Sequence, residues 1–301
     1  MTRISKTLSV ELALLTVPML WGIGYPLIRE SMAYIGPLAF LFYRFGIAFI
    51  LLLIFYRNQW RGVHLRDWLK GIITGVVLFL AYAFLNWGLV YTTTSNAGFI
   101  IGLRVVIVPV IGAVLFRQII PGRSWLGAGI SLIGLIFIFF GAKATVKSIN
   151  PGDMIMLFSA IFFALHVLLI SRFIHIKNYV SNLIAQISVV TLFSGAAMLL
   201  LESVKLPGSL LVWQNIMITG LLSTLLAFWL QTRFQRHSTA DRTGIIFSSE
   251  PLFASLFGFI YLGESLIGWQ WPGAFLIILA MIVSQLPSRM RQKYLQFKWD
   301  R

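Results

Sequence analysis

Residues 98–110, GFIIGLRVVIVPV, form an apolar run with one arginine, Arg104, in its middle and a proline, Pro109, five residues later. A charge in such surroundings is costly in the core of a soluble protein and also in a lipid bilayer. The fold depends on which of these two solvents surrounds Arg104. The composition of the whole chain answers that question.

The chain of 301 residues is 58% hydrophobic and 11% charged, with a mean hydropathy of +0.88. A soluble domain usually has about 25% charged and about 45–50% apolar residues. A soluble protein of this size could not cover its surface with so few polar groups. The sequence therefore predicts an integral membrane protein.

The apolar runs are about 20 residues long, which is the length that a membrane-spanning helix needs. Strands of a transmembrane barrel would be about ten residues long with alternating polarity. The sequence therefore predicts an all-α integral membrane protein with ten transmembrane helices. The predicted spans are 9–29, 36–56, 69–90, 96–116, 124–142, 153–172, 181–201, 211–232, 243–263 and 268–286.

The distribution of positive charge supports this division of the chain. If the N-terminus lies inside, 18 of the 24 lysines and arginines fall in the inner segments and 4 in the outer ones. The other two, Arg44 and Arg104, lie inside spans. Because cytoplasmic loops carry an excess of Lys and Arg, the bias predicts that both termini are cytoplasmic.

The composition also excludes several classes of site. The net charge of +15 is spread in short groups between apolar segments, so we expect no nucleic-acid partner. There is no cysteine, which excludes disulfides, thiolate nucleophiles and cysteine-ligated metals. The histidines are scattered, with His64, His175 and His237 in or near loops, so we expect no metal site and no cofactor.

The spans before and after residue 148 follow a similar order. Each half, 1–148 and 149–301, has a polar stretch that leads into a proline-bearing span, with Pro109 in one and Pro251 in the other. Five spans per half is an odd number, so the second half enters the membrane from the opposite side. Two inverted five-helix repeats are typical of secondary transporters, whose substrate site lies between the repeats.

Three stretches carry a resemblance to a known family: MLWGIGYPLIRES (19–31), FLFYRFGIAFILLL (40–53) and EPLFASLFGFIYLGESLIGWQWPGAFLIILAMIV (250–283). They resemble the EamA-type transporters of the drug/metabolite transporter superfamily. The resemblance implies ten helices in two inverted repeats and, usually, export of amino acids or other small metabolites. The first half departs from the pattern, because it lacks the Leu-Gly-Glu that ends at Glu264 in the second half. Glu264 itself is expected at the outer membrane boundary, in a capping or surface role.

Three charged residues are predicted at membrane depth. Arg44 and Arg104 lie roughly 12 Å below the outer face and Glu250 roughly 10 Å from the inner face. Each costs about 2.5–3.5 kcal/mol on insertion scales. All three are therefore expected to point into the bundle, toward partners or a water-filled cavity.

These three charges can be paired in more than one way. We interpret Arg44 mainly as a packing residue, whereas Arg104 holds either Glu250 or an anionic substrate. The small residues Gly98 and Gly102 would allow another backbone or a ligand to approach Arg104 closely. Two arginines against one glutamate leave a formal charge of +1, which favours a carboxylate on the substrate. Glu250 is also the candidate for proton coupling, if it titrates instead of only pairing.

Neutral polar and aromatic side chains complete the predicted substrate site. The Asn86 amide needs partners in lipid and is expected to face the bundle interior, and we interpret His166 as bonded between helices in preference to a proton relay. Trp87 is expected to be an interfacial anchor. The predicted substrate-contact residues besides the three charges are Trp21, Tyr25, Tyr82, Asn86, His166 and Gln231.

The function predicted from these features is secondary transport of a small-molecule substrate, with amino acids or related carboxylates favoured, across the cytoplasmic membrane by alternating access. The chain has no HExxH, GxSxG or Walker motif and no paired aspartates, so an enzyme is not expected. An intramembrane enzyme and a passive channel remain the alternatives. Membrane lipids are the expected surroundings, and the oligomeric state, monomer or homodimer, stays open.

Overall fold

The computed structural model describes the backbone of residues 3–57, 65–92, 94–141, 151–174, 179–202, 206–262 and 268–285. Within these ranges the ordered elements are helices, and no strand occurs. The all-α class predicted from the sequence is confirmed. The predicted boundary residue Glu264 lies outside the described residues.

Fourteen α-helices and one π-helical segment make up the described part. In chain order they are α1 (Arg3–Gly22), α2 (Gly24–Ser31), α3 (Pro37–Phe55), α4 (Leu65–Tyr91), α5 (Thr94–Gly102), α6 (Arg104–Val114), α7 (Gly122–Gly141), α8 (Pro151–Phe173), α9 (Tyr179–Leu201), α10 (Leu210–Ile218), the π-helical segment (Thr219–Leu226), α11 (Ala227–Gln235), α12 (Ala240–Phe247), α13 (Glu250–Leu262) and α14 (Gln270–Gln285).

Seven stretches of the described residues are long and apolar enough to cross a membrane: Leu8–Ser31, Pro37–Phe55, Leu65–Tyr91, Ala97–Val114, Pro151–Phe173, Tyr179–Leu201 and Leu210–Gln235. Gly122–Phe137 and Gln270–Ser284 are shorter apolar helices. The predicted span 243–263 is divided into α12 and α13 by a turn at Ser248 and Ser249. The protein is a multi-pass membrane protein, while the count of ten spans stays a prediction.

Glycines bring several helices close enough for backbone contact. A Cβ at Gly75 in α4 would lie 2.8 Å from the Gln186 Cα in α9, and a Cβ at Gly134 in α7 would lie 2.8 Å from the Gly273 oxygen in α14. Only residues without a side chain fit at such contacts, as is usual where membrane helices pack. These two contacts tie α4 to α9 and α7 to α14.

The predicted small-residue face of Gly98 and Gly102 does not receive a backbone. Among the described residues, no heavy atom lies within 4 Å of the Cβ position at Gly98. At Gly102 the neighbour is the side chain of Leu135. A close approach of another backbone is not observed here among the described residues, because α7 meets α5 at Gly102 through a leucine side chain. The alternative, a close approach of a ligand, stays a prediction.

Four of the predicted spans are interrupted between their two ends. The breaks lie at Ile23, at Leu103, at Ser248 and Ser249, and at the π-helical segment. Proline accounts for the first break, because the Pro26 ring would clash with the Gly22 carbonyl four residues earlier, where α1 ends. Irregular backbone inside a membrane occurs where protein or a cavity surrounds it, so these breaks point to the functional centre of the bundle.

Candidate functional site

The centre of the bundle holds a buried ion pair. The Arg104 guanidinium donates to the Glu250 carboxylate through Nη2, and the two residues are 1% and 4% exposed. Arg104 is the first residue of α6 and Glu250 the first residue of α13. Both predicted proline-bearing spans are therefore interrupted just before their charged residue, and the two charges meet between the two halves of the chain.

A proline provides a second acceptor for Arg104. Pro251 has no N–H, so the Phe247 carbonyl four residues earlier lacks its usual helical donor. The Arg104 Nη2 donates to that Phe247 oxygen at 2.8 Å. The guanidinium also lies over the rings of Trp21 and Phe247, 5.3 and 5.5 Å from their centroids. The break in the helix thus helps to hold Arg104 against Glu250.

Arg44 is held by the π-helical segment on the other side of the centre. Its Nε donates to the Thr224 Oγ1 at 2.6 Å, and its Nη2 donates to the Ser223 oxygen at 3.3 Å. The guanidinium carbon lies 4.9 Å from the centroid of the Tyr82 ring. Arg44 is 1% exposed, and its Nη1 has no hydrogen-bond partner among the described residues.

The Ser223 carbonyl receives donors from two other helices. Besides Arg44 of α3, the Trp21 Nε1 of α1 donates to it at 3.1 Å. The Ser223 hydroxyl in turn donates to the Leu20 oxygen at 2.6 Å. Single π-helical turns occur often at functional sites. Here the widened turn orients both an arginine and a tryptophan of the first half toward the centre.

A small cavity lies between these groups, and we call it the central chamber. It offers about 20 Å³ to the centres of water-sized molecules, and a single buried water needs at least about 10–15 Å³. Tyr25 lies beside Glu250, near enough for a side-chain hydrogen bond. The chamber is lined by Trp21, Gly24, Tyr25, Ile28, Arg44, Tyr82, Leu85, Arg104, Phe163 and Glu250.

Six of the nine sequence-predicted site residues meet at the chamber. They are Trp21, Tyr25, Arg44, Tyr82, Arg104 and Glu250. Arg104 pairs with Glu250, which is one of the two alternatives predicted from the sequence, and substrate contact by either arginine stays a prediction. Arg104 is engaged by Glu250 and Phe247 through its Nη2, whereas Arg44 has no carboxylate partner among the described residues. The Arg104 Nε and the Arg44 Nη1 both lack a hydrogen-bond partner there.

The other three predicted residues lie outside the chamber lining. The Asn86 amide faces the interior, as expected, and donates to the Pro37 oxygen at 3.1 Å. His166 is bonded between α8 and α9, its Nε2 lying 2.8 Å from the Gln186 Oε1. The Gln231 amide donates to the Gln235 Oε1 at 2.9 Å. Asn86 and His166 connect helices, Gln231 bonds within α11, and none of the three is among the residues that line the chamber.

Two important residues of the site, Ser223 and Thr224, are not predicted from the sequence. Serine and threonine inside membrane helices commonly bond to their own backbone, so their presence alone indicates no site. The short polar group formed by Thr219, Ser223 and Thr224 within an apolar span is the one signal that could have drawn attention to them.

Comparisons with known proteins agree with this architecture. The family model described as the EamA-like transporter family matches residues 8–140 and 150–285. An uncharacterized transporter of Archaeoglobus fulgidus is 31% identical over 281 residues, covering 93% of this chain and 87% of the relative. The uncharacterized transporter YyaM of Bacillus subtilis is 24% identical, covering 93% and 94%. A solved crystal structure superimposes with a TM-score of 0.77 at 18% identity over 92% of this chain and 96% of that one, which shows the same fold.

Proposed function

Because the chain belongs to the EamA-like transporter family, we propose that it is a secondary transporter for small metabolites that carry a carboxylate, amino acids among them. It moves them across the cytoplasmic membrane in the export direction. The central chamber is the binding site, and alternating access exposes it to each side in turn.

The charge balance of the chamber carries this proposal. Arg44 and Arg104 bring two positive charges and Glu250 one negative charge, so the lining has a formal charge of +1. The Arg104–Glu250 pair neutralises itself. The unpartnered Nη1 of Arg44 is then the donor that a carboxylate would satisfy, and a buried guanidinium is a strong anion-binding group because its N–H groups point in fixed directions.

The size of the chamber supports alternating access. In this conformation it has room for about one water molecule, which is too small for a metabolite. The helices around it must separate before a solute can enter. The breaks beside Arg104 and Glu250 place a flexible point at the chamber in each of two helices. Movement of the two halves about these points would open the site without breaking a long continuous helix.

The proposed topology follows from the charge distribution and the order of the spans. Ten spans form two inverted repeats, residues 1–148 and 149–301, and both termini are cytoplasmic. In this arrangement the ends of α2 and α4 and the start of α10 lie at the outer face, and we call this end of the bundle the outer end. The proposal places the ion pair at the contact between the repeats, where substrate sites of inverted-repeat transporters lie.

Counterflow in proteoliposomes tests the proposed function. Vesicles containing the purified protein are loaded with one unlabelled carboxylate metabolite at a time, and uptake of the same radiolabelled compound is measured. We expect saturable uptake that an internal substrate accelerates. A channel would give uptake without this acceleration, and a preference for cationic or neutral solutes would contradict the proposed substrate class.

A matched pair of variants separates the chamber from general effects of charge. Arg44→Gln removes the guanidinium that carries the unpartnered Nη1, and Arg66→Gln removes an exposed arginine near the start of α4. We expect Arg44→Gln to abolish uptake and Arg66→Gln to retain it. The direction is tested by loading cells with the identified substrate: cells that overproduce the protein should release it faster than cells that overproduce Arg44→Gln.

A further inference from the structure

A second cavity, much larger than the chamber, lies against the other side of α2. It is a groove of about 1070 Å³ between α2 and α10, at the end of the bundle where Ser31 and Leu210 lie. Its lining mixes apolar side chains such as Leu211 and Ile218 with the charged Arg29 and Glu30 and the amides of Gln214 and Asn215. The proposed function assigns no role to this groove.

Helix α2 is the wall that separates the groove from the chamber. Gly24, Tyr25 and Ile28 line the chamber, while Pro26, Leu27 and Glu30 line the groove. Successive residues of an α-helix are about 100° apart around its axis, so these two sets lie on opposite faces of α2. One helix of eight residues therefore lies between a surface groove and the buried arginines.

Both walls of the groove are joined to the chamber at irregular points of the backbone. Helix α2 is separated from α1 by the break at Ile23, and α10 passes at Ile218 directly into the π-helical segment that holds Arg44 and Trp21. A Cβ at Gly24 would meet only ordinary contacts, the nearest being the Ser223 Oγ at 3.5 Å, whereas a Cβ at Gly22, before the break, would lie 2.8 Å from the Ala254 nitrogen. Packing is therefore tighter at the end of α1 than at the first residue of α2. Each wall can therefore tilt at the level of the chamber.

Polar contacts at the outer end hold α2 in place. The Asn215 Nδ2 of α10 donates to the Glu30 Oε2 at 3.0 Å and lies 3.2 Å from the Ser31 Oγ. The Arg29 Nη1 donates to the Thr92 oxygen at the end of α4. Arg29 and Glu30 are exposed, so water can replace the partners of their side chains, whereas Asn215, Ser31 and Thr92 are buried. These bonds close α2 against its neighbours but do not fix it there irreversibly.

We propose that the groove between α2 and α10 is the outer vestibule of the transport pathway and that α2 is the gate between this vestibule and the central chamber. This inference rests on the proposed function, and the solute that passes is the same carboxylate. Arg29 supplies one positive charge in the vestibule, which Glu30 of the same lining balances, and Arg44 supplies the next positive charge once α2 has tilted. Lipid acyl chains are the competing occupant of the groove.

The first experiment asks whether water or lipid fills the groove. The chain has no cysteine, so a single cysteine can be labelled without background. Ile218→Cys lies in the groove, eight residues from the start of α10, and Leu192→Cys lies nine residues from the end of α9 on a side chain that is 66% exposed. Both are therefore roughly 12–14 Å from the outer end.

A membrane-impermeant anionic thiol reagent reacts with the thiolate, which needs water. We expect Ile218→Cys to react at least about tenfold faster than Leu192→Cys, because thiolate formation is disfavoured against acyl chains. Equal and slow reaction of the two variants would show a groove filled by lipid and would overturn the vestibule.

The second experiment locks the gate. In the variant Glu30→Cys/Asn215→Cys, a short bifunctional thiol reagent joins α2 to α10 where their side chains are in contact at 3.0 Å. Cross-linking should abolish counterflow, and reduction should restore it. Each single cysteine variant treated in the same way is the control, and treatment should leave its transport rate the same as before treatment.

Full transport by the cross-linked protein would overturn the gate. If the reduced protein transports none of the carboxylates, while Ile218→Cys still reacts rapidly, the proposed substrate class fails and the aqueous vestibule is retained. The two proposals therefore fail in different ways.

Discussion

The guanidinium of Arg104 and the carboxylate of Glu250 meet at the centre of the bundle, and each of the two residues begins the helix that follows a break. The pair thus joins α6 and α13 directly after the breaks that precede these helices. A buried ion pair contributes little compared with an apolar pair of similar size, but loss of one partner leaves a charge in a site without water.

The first prediction concerns the two partners of this pair. Arg104→Gln should destabilise the protein by about 3–5 kcal/mol, because Glu250 remains buried without its counter-charge. The double variant Arg104→Gln/Glu250→Gln should recover most of that loss. Thermal unfolding in detergent checks both values. A double variant as unstable as the sum of the two single variants would show that the pair is not coupled.

The second prediction concerns the hydroxyl that orients Arg44. Thr224→Val keeps the shape of the side chain but removes the acceptor that lies 2.6 Å from the Arg44 Nε. We expect the half-saturating substrate concentration in counterflow to rise about tenfold, which corresponds to about 1.4 kcal/mol.

Thr224→Ser restores the acceptor and is the control for the second prediction. It should return the half-saturating concentration close to that of the wild type. Equal defects in the two variants would indicate that the methyl group, and not the hydroxyl, is required at this position.

The third prediction concerns the contact between α4 and α9. Gly75→Ala forces a Cβ to within 2.8 Å of the Gln186 Cα, so it should destabilise the protein by about 1–3 kcal/mol. Gly129→Ala is the matched control, since Gly129 is exposed on α7 with no described heavy atom within 4 Å of its Cβ position. That variant should leave stability unchanged or raise it by about 0.4–1 kcal/mol. Thermal unfolding of both variants measures these changes in stability.

The sequence predicts the class of the fold and the burial of the three charges well, because both follow from the cost of polar groups in lipid. Arg44, Arg104 and Glu250 could not face the acyl chains, and all three are buried at the chamber. The pairing could not be predicted, since either arginine could reach Glu250. Which arginine pairs with Glu250 depends on two features of the backbone. Pro251 leaves the Phe247 carbonyl available to Arg104, and the π-helical segment binds Arg44 away from Glu250.

The ends of the spans are easier to predict from the sequence than the breaks inside the spans. Hydropathy averages over about 20 residues and does not register a turn at Leu103 or at Ser248. The same averaging hides Ser223 and Thr224, whose hydroxyl groups are too common in membrane helices to indicate a site. Proline is the signal in the sequence that does indicate two of the breaks. Pro26 and Pro251 have no N–H and leave the Gly22 and Phe247 carbonyls, four residues earlier, without a helical donor.

The central claim is that the free N–H of Arg44 binds a substrate carboxylate in the chamber. Binding of a metabolite that supports counterflow, compared with its primary amide of nearly the same size, tests this claim most directly. The account predicts that the wild type binds the carboxylate and loses at least about tenfold in affinity for the amide, and that Arg44→Gln binds both equally weakly. Equal affinity of the wild type for acid and amide, or an unchanged preference for the acid in Arg44→Gln, would contradict it.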